Sequence, residues 1–176
     1  MAQNLKYGVA IMIPDPPAGE LRRIQKDCNL PPWQPSFDLH ITLIPPFNTR
    51  TSHEELLAAL DRAVLRSPFS VRITGVDRFD NAESVIYARI WRTDMLRRLY
   101  DDLAVATTTF RGATRRDFIP HVTLANPASR QTVDGYMKCT AGKVGEYDFI
   151  CDRFTLLRLD EQARAWKPVH EFPFTF

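Results

Sequence analysis

Apolar and polar positions alternate along this chain with two periods, and the switches between them predict an order of strands and helices. Leu5 to Ile13 is apolar and rich in β-formers, and Pro14-Asp15-Pro16-Pro17 stops it, so a buried first strand and a turn are expected. Leu21, Ile24 and Cys28 then recur at three to four residues with Arg22, Arg23 and Lys26 between them, the pattern of an amphipathic helix that Pro31-Pro32 closes. A second strand is expected from about Phe37 to Ile44, ended by Pro45-Pro46. Ser52-His53-Glu54-Glu55 reads as a capping box, with Leu56, Leu60, Ala63 and Val64 as the buried stripe of a helix reaching about Arg66. His53, in its first turn, reads as a solvated residue. Phe69 to Phe79 alternates with period two and predicts another strand.

At Asp80-Asn81 the chain turns and the order begins again. A strand is expected from about Ser84 to Trp91, then a helix capped by Thr93 whose buried face is Met95, Leu96, Leu99, Leu103 and Ala106. A basic loop, Arg111-Gly112-Ala113-Thr114-Arg115-Arg116, leads to a further strand, followed by a weaker helix near Ser129 to Lys138 and a strand from Val144 to Cys151. Two more strands, Arg153 to Leu159 and Trp166 to Phe174, joined through Asp160-Glu161-Gln162-Ala163, complete the chain. The order strand, helix, strand, helix, strand thus occurs twice, which predicts an internally duplicated α+β chain. Residues 1–176 are expected to form a single domain of two lobes, with approximate repeat units 5–79 and 84–151 plus terminal strands within 153–174.

Two short runs carry one pattern. Asp38-Leu39-His40-Ile41-Thr42-Leu43-Ile44 and Phe118-Ile119-Pro120-His121-Val122-Thr123-Leu124 each place a threonine two residues after a histidine, with a β-branched residue between and a leucine next. Period two puts His40 with Thr42, and His121 with Thr123, on one strand face about 7 Å apart. Ile41, Leu43, Val122 and Leu124 turn the other way, toward an apolar layer. The separation from first strand to motif histidine is 35 residues from Leu5 to His40 and 37 from Ser84 to His121. With only four histidines in the chain, threonine at +2 and leucine at +3 after two of them has a chance probability of roughly three in ten thousand. A buried structural histidine accounts for either run alone but poorly for the pair.

Composition sets loose bounds on this picture. The chain has 176 residues, 44% of them hydrophobic and 25% charged, enough for one ordinary core or for two small lobes sharing one. A net charge of +2 is too small to coat nucleic acid by charge alone, yet suits a small anionic substrate. Cys28, Cys139 and Cys151 are an odd number with no C-x-x-C spacing, which argues against a disulfide framework and a thiolate metal site. They read as reduced thiols. With no signal-peptide layout and no apolar run of eighteen residues, a cytoplasmic protein without membrane contact is expected.

Two histidines and two threonines lack the nucleophilic serine or cysteine and the orienting carboxylate of a triad. They also fall short of the three Cys, His or carboxylate ligands that zinc takes, so no metal and no cofactor is expected. In-line attack on a phosphorus ester suits them: a neutral imidazole takes a proton from the nucleophile, a protonated one gives a proton to the departing oxygen, and the hydroxyls hold non-bridging oxygens.

His40-Ile41-Thr42-Leu43 and His121-Val122-Thr123-Leu124 resemble the paired His-x-Thr/Ser-x motifs of the 2H phosphoesterase superfamily. Pro45-Pro46-Phe47 and Phe118-Ile119-Pro120 look like its branch of 2'-5' RNA ligases and RNA 2',3'-cyclic phosphodiesterases. Leu39 stands where that family often has proline. The resemblance implies a duplicated bilobal fold, two pseudo-twofold related antiparallel sheets around a central cleft with helices outside. It implies metal-independent hydrolysis of a cyclic phosphodiester, with His40 and His121 as the acid/base pair and Thr42 and Thr123 holding the phosphate. The pseudo-symmetry leaves open which histidine is base and which acid. The expected partner is an RNA end or small ribonucleotide with a cyclic phosphate; no protein partner is implied, and a monomer is expected. Alternatives are an RNA- or nucleotide-binding module with little turnover, or a phosphodiesterase for 2',5'-linked oligonucleotides or ADP-ribose cyclic phosphate. Arg115 and Arg116, with Arg111, are candidates for further phosphates, a solvated basic loop being the other reading. Phe47 and Tyr87, with Trp33 and Trp91, are candidates for stacking on a base, core packing being the other reading.

Overall fold

A computed structural model describes residues 5–31, 37–65, 67–79, 85–112, 117–126 and 130–175. The elements in order are β1 (Leu5–Met12), α1 (Pro17–Asp27), β2 (His40–Thr49), α2 (His53–Asp61), β3 (Phe69–Arg78), β4 (Ile86–Ile90), α3 (Asp94–Ala106), α4 (Thr108–Arg111), β5 (His121–Ala125), α5 (Arg130–Thr140), β6 (Glu146–Cys151), β7 (Arg153–Asp160) and β8 (Ala165–Pro173). The local signals act as their chemistry requires. The Ser52 hydroxyl accepts from Glu55 N–H while the Glu55 carboxylate accepts from Ser52 N–H, the reciprocal capping box. Thr93 caps α3 by accepting from Leu96 N–H at 3.2 Å. Pro17 opens α1, where its missing N–H costs nothing.

The eight strands form one sheet in the order β6-β3-β4-β5-β2-β1-β7-β8, every pairing antiparallel. The two expected sheets are its halves, β2-β1-β7-β8 and β5-β4-β3-β6, and they meet where Ile41 of β2 pairs with Val122 of β5. The chain crosses between halves: β3 pairs with β4 and β6, while β7 and β8 return to lie beside β1. One sheet face is apolar. Ile41, Leu43, Val122 and Leu124 bury there with Leu21 and Ile24 of α1, Leu56 and Leu60 of α2, and Leu96, Leu99 and Leu103 of α3, forming a single core.

Two expectations are corrected. Pro45-Pro46 does not end β2. Tyr7 pairs with Phe47 and Val9 with Ile44, so both prolines sit on a bulge, exposed and outside the ladder, where a missing N–H is tolerated and pairing resumes to Thr49. The cysteines are not all reduced thiols either. Cys28, just after α1, and Cys139, on α5, form a disulfide across 111 residues, a pairing that spacing could not reveal because the fold alone brings the helices together. Cys151 stays a free thiol in the core, and burial pushes it up to about 12, so it is unreactive at neutral pH. Among the described residues, no helix is long and apolar enough to cross a membrane.

The seam between the halves depends on fully buried Ile41 and Val122. Ile41→Ala should lower unfolding free energy by about 2–5 kcal/mol, the range for truncating a packed aliphatic side chain. Urea denaturation read by circular dichroism measures this, and an unchanged midpoint would show that the seam does not depend on this packing.

Candidate active site

Alternation on β2 and β5 divides their residues between two environments. Ile41, Leu43, Val122 and Leu124 are buried, whereas His40, Thr42, His121 and Thr123 are half-buried on the opposite face. Antiparallel pairing of Ile41 with Val122 sets His40 opposite Thr123 and Thr42 opposite His121. Directly opposed residues stand about 5 Å apart, and diagonal ones, here the two histidines, about 7–8 Å. The flanking strands extend both rows: Met12 pairs with His40 and Ala10 with Thr42, while Tyr87 pairs with Thr123 and Arg89 with His121.

Each imidazole is held in the same manner. His40 Nδ1 lies 2.7 Å from the Asp38 carbonyl oxygen, and His121 Nδ1 lies 2.8 Å from that of Ile119, two residues back in both cases. A carbonyl oxygen only accepts, so Nδ1 carries the hydrogen and Nε2 is left to act on a ligand. An aromatic edge fixes each ring as well. Phe37 lies 5.0 Å from His40, and Phe79 and Tyr87 lie 4.9 and 5.3 Å from His121, centroid to centroid, all tilted edge to face.

Cavities open on these rows. One of about 590 Å³ runs from His40 and Thr123 along α1, past Arg22, Gln25 and Lys26. Gln25 Nε2 donates to the Leu124 carbonyl at 2.9 Å and so ties α1 to β5 beside the site. A second, of about 320 Å³, reaches from His40 and Thr42 over β1 to Phe37, Leu157, Leu159 and Trp166, with Lys6 on its rim. Gly8 forms part of that floor, and the Trp166 indole lies over it, within ordinary van der Waals reach of a Cβ placed there.

Residues 13–163 match the 2'-5' RNA ligase superfamily. The chain belongs to that superfamily. A candidate phosphoesterase of Staphylococcus aureus strain Newman is 27% identical over 135 residues, covering 76% of this chain and 79% of the relative. Among solved structures, Escherichia coli LigT without ligand superposes with a TM-score of 0.73 at 16% identity, covering 99% of both chains. LigT complexed with 3'-AMP gives 0.73 at 19% identity over 99% of this chain and 100% of that one. A protein of Thermus thermophilus gives 0.66 at 22% identity, covering 96% and 97%. The fold is therefore that of the 2H phosphoesterases.

Within this superfamily frame the four motif residues share one patch, and the other candidates separate. Tyr87 lies against His121, although it is largely buried. Phe47 is a correction: it is 7% exposed and packs on Tyr7 at 6.3 Å in the core, because the bulge at Pro45-Pro46 resets the alternation before it. Arg115, Arg116 and Trp33 lie outside the described residues. Arg111 folds back onto α3, its Nε donating to the Thr107 hydroxyl at 2.8 Å. His53 is a solvated helix-start residue only in part, since its ring stacks on Tyr7 at 5.9 Å. Phe37, Phe79, Arg89 and Trp166 were missed. Only strand pairing brings Arg89 and Trp166 to the site, and no short-range pattern encodes it.

Burial lowers both imidazoles below the ordinary value of 6.5, and the neighbouring charge of His121 presses His40 down further, against the opposing pull of the Asp38 carbonyl. Both are then neutral in the folded chain at pH 7. Their contribution to stability is complete above 6.5, where the unfolded histidines are also neutral, and is lost as pH falls through the depressed folded values. In an NMR titration of the ring protons, both midpoints should fall below 6.5. His121→Gln should move the His40 midpoint upward yet leave it below the ordinary value, since burial is the larger cause. A His40 midpoint at or above that value contradicts the assigned environment.

Proposed function

We propose that this chain hydrolyses a cyclic phosphodiester of RNA or a ribonucleotide, of the 2',3'-cyclic phosphate class, to a phosphomonoester. The observation that carries the reading is the pair of imidazoles, each tethered through Nδ1 to a main-chain carbonyl and each diagonal to the other across two threonines. A neutral Nε2 takes a proton from water as the water oxygen bonds to phosphorus. The protonated Nε2 of the other histidine gives its proton to the ribose oxygen as the P–O bond breaks. Thr42 and Thr123 donate to the non-bridging oxygens, where negative charge builds. Proximity assists the division of roles: once one imidazole is protonated, its charge holds the other neutral, which is the state the reaction needs.

Two further observations support a nucleotide substrate. The cavity beside His40 and Thr42 is mostly apolar and walled by Trp166 and Phe37, which suits a nucleoside attached to the reacting phosphate. LigT, which shares the fold, has been solved with 3'-AMP and with phosphate. The donor set, two Nε2 atoms and two neutral hydroxyls, suits proton transfer better than a divalent metal.

Because kcat/KM reports groups of the free enzyme, and both imidazoles are lowered there, its pH profile on a 2',3'-cyclic nucleotide should be bell-shaped with a maximum on the acid side of 6.5. His40→Ala and His121→Ala should each cost about 10²–10⁴-fold in rate and each remove one limb of the bell, assigning acid and base. Thr42→Ala and Thr123→Ala should cost less. Near wild-type turnover in either histidine variant, or a flat profile, rejects the paired mechanism.

EDTA at millimolar concentration should leave the rate unchanged. Loss of turnover that one divalent ion restores refutes metal-independent hydrolysis.

A further inference from the structure

Large apolar side chains are exposed at four described positions, Trp91, Val105, Ile119 and Ile150, and two of these stand together beside His121. Trp91 follows β4, yet its N–H still donates to the Arg72 carbonyl at 2.8 Å, so strand geometry continues and Trp91 stays on the face of Tyr87 and Arg89. Since Arg89 pairs with His121, antiparallel register sets Trp91 opposite Ile119. Trp91 is 63% and Ile119 42% exposed, and with Tyr87, Arg89 and Arg92 they line a cavity of about 360 Å³.

Many arginines elsewhere on the surface are paired with carboxylates. Arg72 pairs with Asp148, Arg97 with Asp101 and Arg153 with Asp152 and Glu171. Among the described residues, Arg89 and Arg92 have no carboxylate partner, and Arg89 is steadied by donating to the Thr74 carbonyl at 3.1 Å. An exposed indole flanked by two cations without counter-charges is the chemistry that holds single-stranded nucleic acid, a stacking platform beside a phosphate clamp.

We propose that this cavity binds the second nucleotide of an RNA strand whose terminal cyclic phosphate lies at His40 and His121, an inference that rests on the function proposed above. The penultimate base stacks on Trp91 against Ile119, and Arg89 and Arg92 hold the phosphate linking it to the terminal nucleoside. Trp91 is two residues, about 7 Å, beyond Arg89 along the strand face, a spacing that lets the phosphate and the next base be held together.

The test compares adenosine 2',3'-cyclic phosphate with the dinucleotide ApA ending in a 2',3'-cyclic phosphate, with kcat/KM measured on each. Calorimetric binding of 3'-AMP and of 3'-phosphorylated ApA is measured in parallel at low salt. The wild type should prefer the dinucleotide roughly tenfold in both measurements. Trp91→Ala should bring the ratio near one, Trp91→Phe should restore most of it, and Arg92→Gln should lower it and flatten its salt dependence. Val105→Ser, which removes an exposed apolar group from α3, should retain the wild-type ratio. Turnover of both substrates at equal kcat/KM overturns the subsite and leaves the proposed function standing. Tighter, Trp91-dependent binding of the dinucleotide without turnover of either substrate does the reverse. A wild-type ratio that survives Trp91→Ala overturns the assignment of Trp91.

Discussion

Everything at the site depends on one backbone pairing, Ile41 with Val122, made between two strands that carry the same pattern in opposite directions. A slip of one residue would turn every side chain of one strand to the other face, taking two polar groups into the core and two aliphatics into the cleft. The aliphatic residues prevent that slip, since Ile41, Leu43, Val122 and Leu124 are essentially fully buried beneath three helices. The hydrophobic core therefore fixes the register of the candidate site without touching it. Antiparallel pairing of two equal motifs adds the second property of the site, in which each histidine faces the other strand's threonine and the imidazoles fall on a diagonal.

The electrostatics of the imidazoles follow from the same placement. A strand near the centre of a sheet gives each ring a carbonyl two residues back to hold its Nδ1, but it also removes water from around the ring. The carbonyl favours the charged form and the loss of water disfavours it, and the loss of water is the larger effect. A cleft poised to be neutral when empty is suited to an anionic ligand, whose charge offsets the cost of protonating one imidazole in its presence. In the proposed reaction, the substrate supplies part of the field that readies its own acid.

The paired motifs were legible in the sequence because their signal is local and repeated: two positions apart on a strand means one face, wherever the strand lies. Helix starts were legible for the same reason, as Ser52 with Glu55 and Thr93 with Leu96 show, since a cap is complete within four residues. What was not legible depends on who lies beside whom. Period-two strands do not name their partners, so nothing in Phe69 to Arg78 says that β3 joins β4 and β6, and nothing in Trp166 says that β8 brings it over Gly8. Pro45-Pro46 misled in a different way, because two missing donors can either end a strand or be set aside on a bulge, and only the partner strand decides. The disulfide between Cys28 and Cys139 is likewise a product of the tertiary fold, which brings the end of α1 to α5, rather than of spacing.

The two flanks of the site differ although its centre is symmetric. Catalysis on a phosphate needs an equivalent group on each side of one phosphorus atom, so drift at His40, Thr42, His121 or Thr123 is costly in the proposed mechanism. The neighbouring strands do not share that symmetry. Beside β2, the row passes through Ala10 and Gly8, over which Trp166 and Leu157 wall an apolar pocket. Beside β5, the corresponding row carries Tyr87 and Arg89 and ends on Trp91, which leaves that flank open and cationic. A symmetric centre between asymmetric walls can read the direction of a strand, because the two sides of the phosphate then meet different chemistry. In the proposed function, the strands one step out from the seam distinguish the two sides of the phosphate, while the seam itself treats them alike.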